Sequence, residues 1–142
     1  MAQLHIFAGS ESDRVFMKEG LAFLHSASIV PEITIASVHR KPRHAHRTIL
    51  KTLRNNDVRT IIAGAHSATG LPGVIAGYVI EGCQNILVLG VRFTKEPQLS
   101  IMEDAAFGIS SMPRGVPLAY TGFNNTGFLH ACMLSVHILA IK

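Results

Sequence analysis

Residues 35–42, Ile35-Ala36-Ser37-Val38-His39-Arg40-Lys41-Pro42, decide how the rest of the chain is read. β-branched residues lead into the stretch as they do into the end of a strand. Pro42 fits the first turn of a helix, where a backbone N–H would have no partner in any case. Between strand end and helix start, a serine, a histidine and two cations crowd a short loop. In an open α/β sheet this is the edge at which ligands bind. Taken alone, the same residues also fit an ordinary solvated connection.

Working outward, the same alternation repeats. Short apolar or β-branched runs predict strands over residues 4–8, 31–38, 59–63, 85–91 and 116–120. Helical spacing places Phe16, Gly20, Phe23, Leu24 and Ala27 on one face after the first strand, and Ala45, Ile49 and Leu53 on another after Pro42. Further helices are expected over residues 72–81, about 98–107 and 124–142, with residues 64–73 as a small-residue loop. Strands that alternate with helices imply a parallel sheet with right-handed crossovers, hence a three-layer α/β sandwich in a single domain over residues 1–142. Every strand-to-helix loop of such a sheet emerges at one rim, which brings the first three loops together.

Composition narrows the function. The chain has 142 residues, 48% hydrophobic and only 15% charged, enough for one core and too apolar for a disordered tail. So little charge leaves a surface that is expected to be buried in part against copies of itself. The net charge of +4 comes with no Lys/Arg run and little aromatic interleaving. A nucleic-acid partner is therefore not expected, and a small anionic molecule fits better. Cys83 and Cys132 stand apart from each other and form no CxxC, which fits reduced thiols and a cytoplasmic location. No apolar run reaches the roughly 18 residues of a membrane span, and the N-terminus leads straight into a strand, so neither a span nor a targeting segment is expected.

Three loops carry the chemistry. In Gly9-Ser10-Glu11-Ser12-Asp13, Gly9 permits a tight turn, a following helix end offers free N–H groups, and the Ser10 and Ser12 hydroxyls add donors. Asp13 suits sugar hydroxyls; plain helix capping explains the same residues without a ligand. In the second loop, Arg40 has the planar fork that matches phosphate or carboxylate, Ser37 adds a hydroxyl, and His39 is a residue type able to take and give a proton near neutral pH. The third loop, Gly64-Ala65-His66-Ser67-Ala68-Thr69-Gly70-Leu71-Pro72-Gly73, is small enough for backbone to approach a flat ligand, although it matches neither a Walker loop nor GxGxxG. Eight histidines raise the question of a metal. His44 and His46 point to different helix faces with no Cys or Asp nearby, and His130 and His137 read as packed or interface residues, so no metal site is expected.

At these residues the chain resembles the PurE family, the carboxyaminoimidazole ribonucleotide mutases and aminoimidazole ribonucleotide carboxylases of purine synthesis. The resemblance covers nearly the whole chain. It rests on Gly9-Ser10-Glu11-Ser12-Asp13, Ser37-Val38-His39-Arg40-Lys41-Pro42, Ile61-Ile62-Ala63-Gly64-Ala65, Leu71-Pro72-Gly73, Val88-Leu89-Gly90-Val91 and Met112-Pro113-Arg114-Gly115-Val116-Pro117. It implies a flavodoxin-like sandwich assembled as an octamer, with active sites shared between subunits and with neither metal nor organic cofactor. It implies a reaction that moves a carboxylate from an exocyclic nitrogen to the neighbouring ring carbon of an aminoimidazole ribonucleotide. Carried over by position, His39 is the proton carrier, while Ser10 and Asp13, helped by Ser37 and Arg40, contact the ribose phosphate. Ser12, Gly64, Ala65, His66, Ser67 and Leu71 complete the expected substrate site. Arg40 favours the mutases, since direct carboxylases tend to place lysine there.

The third loop departs from the family pattern Gly-Gly-Ala-Ala-His-Leu-Pro-Gly. His66 and Ser67 stand for the two glycines, and Gly70 for the histidine. His66 then either faces the site or turns outward to a subunit contact. Two alternatives to the mutase follow: a paralogue acting on another ribonucleotide-like or aromatic carboxylate, and a nucleotide-binding oligomer without turnover.

Overall fold

Five parallel strands form the sheet, in the order β2-β1-β3-β4-β5. β1 (Leu4–Ala8) occupies the second place and pairs with β2 (Glu32–Ile35) on one side and β3 (Thr60–Ala65) on the other. β4 (Leu87–Arg92) and β5 (Ala119–Phe123) extend the β3 side. The computed structural model describes residues 2–66, 69–96 and 98–141.

The apolar runs explain this arrangement. A strand covered on both faces has no reason to alternate with polar residues, so it reads as continuous apolar sequence. Neighbouring residues then point to opposite layers. Phe7, Ile61 and Ala63 face one core, packed against Ile49 of α2 (Pro42–Leu53) and Ile75 of α3 (Gly70–Glu81). Ile6, Ala8 and Ile62 face the other, with Leu24 of α1 (Lys18–Ser26) and Phe128 of α5 (Asn124–Ala140). α4 (Leu99–Ser110) lies beside α3 and β5. Each large side chain fully buried in these cores contributes roughly 1.5–3 kcal/mol. The α/β flavodoxin-like sandwich expected from the sequence is the fold observed.

Elements differ from expectation for local and for long-range reasons. A 3-10 turn (Glu11–Phe16) precedes α1 because Ser10 and Asp13 close a capping box. β3 runs on to Ala65, which pairs with Arg92, so Gly64 and Ala65 belong to strand rather than loop. α3 begins at Gly70, with Pro72 inside its first turn, where proline is tolerated. β5 starts at Ala119 instead of residue 116, and its pairing with β4 slips between Gly90 and Arg92. Among the described residues, no helix is long and apolar enough to cross a membrane.

The order 2-1-3-4-5 has its switch point between β1 and β3. From there the crossover through α1 leads to one side of the sheet and that through α3 to the other. The loops after these strands part, and a crevice opens between them.

Candidate active site

That crevice is a cleft of about 490 Å³ at the carboxyl ends of β1, β2 and β3. The loop after β1 contributes Ser10 and Ser12, the loop after β2 contributes Ser37, His39 and Arg40, and the end of β3 contributes Ala65 and His66, with Leu71 from α3 behind them. A second, shallower cleft of about 360 Å³ adjoins it on the α2 side, bordered by Lys41 and His44. Ser10, Ser37 and Arg40 border both, whereas His39 and His66 border the inner cleft alone.

Short-range hydrogen bonds hold the first two loops. The Ser10 N–H donates to Asp13 Oδ2 at 3.0 Å, and Ser10 Oγ accepts from the Ser12 N–H at 3.3 Å. The Ser10 and Ser12 hydroxyls also lie 3.0 Å apart. In the second loop, Ser37 Oγ accepts from the Arg40 N–H at 3.1 Å, and the Ser37 carbonyl accepts from the Lys41 N–H at 3.0 Å. This turn lifts His39 and the Arg40 side chain out of the backbone, and both are exposed.

Asp13 is completely buried, and its Oδ1 has no hydrogen-bond partner among the described residues. Burial pushes its carboxyl above the usual range, while the Ser10 and Gly9 N–H groups and His66 pull it back in part. It lies behind the cleft wall, not on it. Gly64 is likewise buried and does not line the cleft: a Cβ there would lie 2.0 Å from Phe93 Cε2.

His66 sits half-buried at the end of β3, its Nδ1 at 2.9 Å from the Phe93 carbonyl. A carbonyl only accepts, so Nδ1 carries the hydrogen, and Nε2 has no hydrogen-bond partner among the described residues. His66 borders the inner cleft. Gly70 leaves room for the His39 ring: a Cβ there would lie 3.0 Å from His39 Cε1 and 3.2 Å from its Nε2. Any side chain at residue 70 would compete with the His39 ring. Ser67 lies outside the described residues.

Sequence reasoning missed Ala36 and Val38 as lining residues, and the Phe93 carbonyl as an anchor. Neither had a signal, since both depend on how distant segments pack. Of the other histidines, His46 is bonded to the Tyr78 hydroxyl and His5 to Thr34, while His130 and His137 are exposed. Among the described residues, no group of three or more His, Cys, Asp or Glu is arranged to hold a metal ion.

Chemically, the inner cleft joins two imidazoles to serine hydroxyls, and the outer one adds cations. It suits an elongated anion with a flat, proton-exchanging end. The sequence model of a family described as AIR carboxylase matches residues 3–142. An N5-carboxyaminoimidazole ribonucleotide mutase from Pyrococcus horikoshii is 34% identical over 137 residues, 96% of this chain and 72% of that protein. The mutase of the same name from Thermotoga maritima is 36% identical over 142 residues, 100% of this chain and 77% of the relative. A phosphoribosylaminoimidazole carboxylase from Schizosaccharomyces pombe is 35% identical over 135 residues, 95% of this chain but 23% of the longer protein.

Proposed function

Because the chain belongs to the AIR carboxylase family, we propose that it is an N5-carboxyaminoimidazole ribonucleotide mutase of purine biosynthesis, with His39 as proton carrier. One observation carries the reading: a single cleft gathers an exposed imidazole, hydroxyls from two loops and an arginine at the sheet's switch point.

The reaction moves a carboxylate from the exocyclic nitrogen to the adjacent ring carbon. The C–N bond to the carboxylate breaks, a C–C bond to the same carbon forms, and one proton travels from ring carbon to nitrogen. His39 carries that proton, a task for a base able to take it and give it back. Its ring lies against the open space at Gly70, beside the cleft where the aminoimidazole would stack. Arg40, with Ser10 and Ser37, binds the ribose phosphate toward the outer cleft, a fork-shaped cation being suited to phosphate. Ser12, Ala65 and Leu71 shape the pocket. Asp13 and Gly64 act from behind, the first by fixing the Ser10 backbone and the second by admitting the Phe93 ring.

The proposal extends to a cytoplasmic homo-oligomer, an octamer. Its supports are the two free thiols and the exposed apolar side chains Leu99 (71%) and Phe107 (74%) on α4. The paralogue reading, another ribonucleotide-like or aromatic carboxylate as substrate, draws on the imidazole of His66 where the family pattern has glycine.

The test is conversion of N5-carboxyaminoimidazole ribonucleotide to its carbon-carboxylated isomer by purified protein, wild type against His39→Asn. Turnover by the wild type and a loss of at least about 100-fold in the variant are expected, with ligand affinity kept. Near-normal turnover in His39→Asn would remove His39 from the role, and an inactive wild type that still binds the ribonucleotide would favour the paralogue.

A further inference from the structure

We propose that His66 holds the substrate's carboxylate while it changes atoms, and thereby sets the cleft's preference for carboxylated over uncarboxylated ribonucleotides. The inference rests on the mutase reading above and deepens it.

The division of the two clefts is the first argument. A ribonucleotide has an anionic phosphate end and a flat base end. Lys41 and His44 border only the outer cleft, as does Glu11, whose charge is paired with Arg14; the balance assigns the phosphate to that side, with Arg40 between. The base then lies in the inner cleft, which His39 and His66 border. The carboxylate must stay within bonding reach of both a nitrogen and a carbon of that base. It therefore needs a donor in the inner cleft other than the group that moves the proton.

The second argument is the way His66 is fixed. Its Nδ1–H is committed to the Phe93 carbonyl, so the ring cannot turn freely, and Nε2 is the one nitrogen left to meet a ligand. When the ring is protonated, Nε2–H is a charged donor, the kind that binds a carboxylate most strongly. The charged and titratable groups around it are Asp13 from the loop after β1 and, lining the same cleft, His39 and Arg40; the β4 side supplies the Phe93 carbonyl. Asp13 is buried, and its attraction to His66 offsets only part of the rise that burial causes in its carboxyl. A carboxylate on the ligand would thus find a positioned cation-capable ring, with its compensating acid on the protein side rather than in the cleft.

Calorimetric titration with 4-carboxy-5-aminoimidazole ribonucleotide and with its uncarboxylated counterpart tests this on wild type, His66→Gln and His66→Gly. Glutamine keeps a donor for the Phe93 carbonyl but no charge, which covers the case in which glycine loosens the strand end. The wild type should prefer the carboxylated ligand by about ten-fold or more. Both variants should bring that preference close to one, with affinity for the uncarboxylated ligand changed by less than about two-fold. A preference unaltered in both variants, while His39→Asn still abolishes turnover, leaves the mutase reading standing and overturns the role of His66. Equal weakening for both ligands overturns it too, by assigning His66 to packing alone. A wild type that binds neither ribonucleotide and shows no turnover overturns the mutase reading, and this inference with it.

Discussion

The first two rim loops and the third reach the same cleft by different means. Ser10 with Asp13, and Ser37 with Arg40, are joined across three residues by their own backbone N–H groups. His66 is joined to Phe93, 27 residues away, and the strand beneath it passes the Phe93 ring only because residue 64 has no side chain. Local caps survive changes elsewhere in the molecule. A long-range anchor depends on a core residue, so the third loop can be altered from a distance.

Long-range polar contacts should therefore give the largest responses, and the largest of all lies below the rim. His5 of β1 is buried, bonded to Thr34 at 2.8 Å and to Thr52 at 3.4 Å, and stacked on Phe7. Burial lowers its imidazole from 6.5 to about 4, with Glu32 opposing the drop. The sign follows from linkage. Between these values the unfolded chain takes up a proton that the folded one refuses, so stability present above pH 6.5 declines as pH falls and is lost by about pH 4. The total is about 3 kcal/mol at about 1.4 kcal/mol per pH unit. Asp13 acts in the opposite sense, since burial raises its carboxyl and its share of stability is lost as pH rises through the folded value. Urea unfolding of wild type and His5→Gln across pH 4–7 separates the two. The variant should lose most of the acid slope, and a slope equal to wild type would mean that His5 is protonated in the fold.

Next in size is Gly64→Ala. Its Cβ would fall 2.0 Å from Phe93 Cε2, and the Phe93 ring is enclosed by Phe16 and Phe128, 5.6 and 6.1 Å away between centroids. Overpacking of this kind costs about 1–3 kcal/mol. Because Phe93 also carries the carbonyl that anchors His66, the substitution should weaken carboxylated ligands beyond its effect on uncarboxylated ones. A variant as stable as wild type in urea would show that Phe93 has room to move, and the long-range anchor would lose its meaning.

The same contrast explains what could be read from sequence. β1 was legible to the residue, and α2 and α5 began where Pro42 and Asn124 indicated, because apolar runs and helix starts are written locally. Ser10, Ser37, His39 and Arg40 were legible as neighbours around one cleft because strand order alone sends their loops to one rim. The direction of His66 was not, since it is fixed by Phe93, nor was the burial of Asp13 behind the wall. β5 starts at Ala119, where it pairs with Leu89, and its register slips only after Tyr120, and that partner strand lies outside any window on residues 116–123. Gly70 read as part of a small-residue loop; only the fold shows that it leaves space for a specific imidazole.

The smallest effect should come from breaking a local cap, Ser10→Ala. The hydroxyl accepts the Ser12 N–H in a helix-initiating turn, and losing such a cap costs about 1 kcal/mol. The Ser10 N–H to Asp13 bond is made by backbone and stays in place, so the capping box is only half undone. The Ser12 hydroxyl, 3.0 Å from the missing group, is freed and remains on the cleft wall. Stability in urea should fall by about that amount, whereas the preference between carboxylated and uncarboxylated ribonucleotides should not move, because the lost contact joins Ser10 to Ser12 within one loop and leaves the His66 anchor on Phe93 intact. Phosphate-end affinity should fall equally for both ligands. If Ser10→Ala instead changed the preference as strongly as Gly64→Ala, the first and third loops would be coupled through Asp13, whose carboxyl touches the one and feels the charge of the other. The rim would then respond as one unit, and the distinction between local and long-range anchoring would fail at the residue where the two meet.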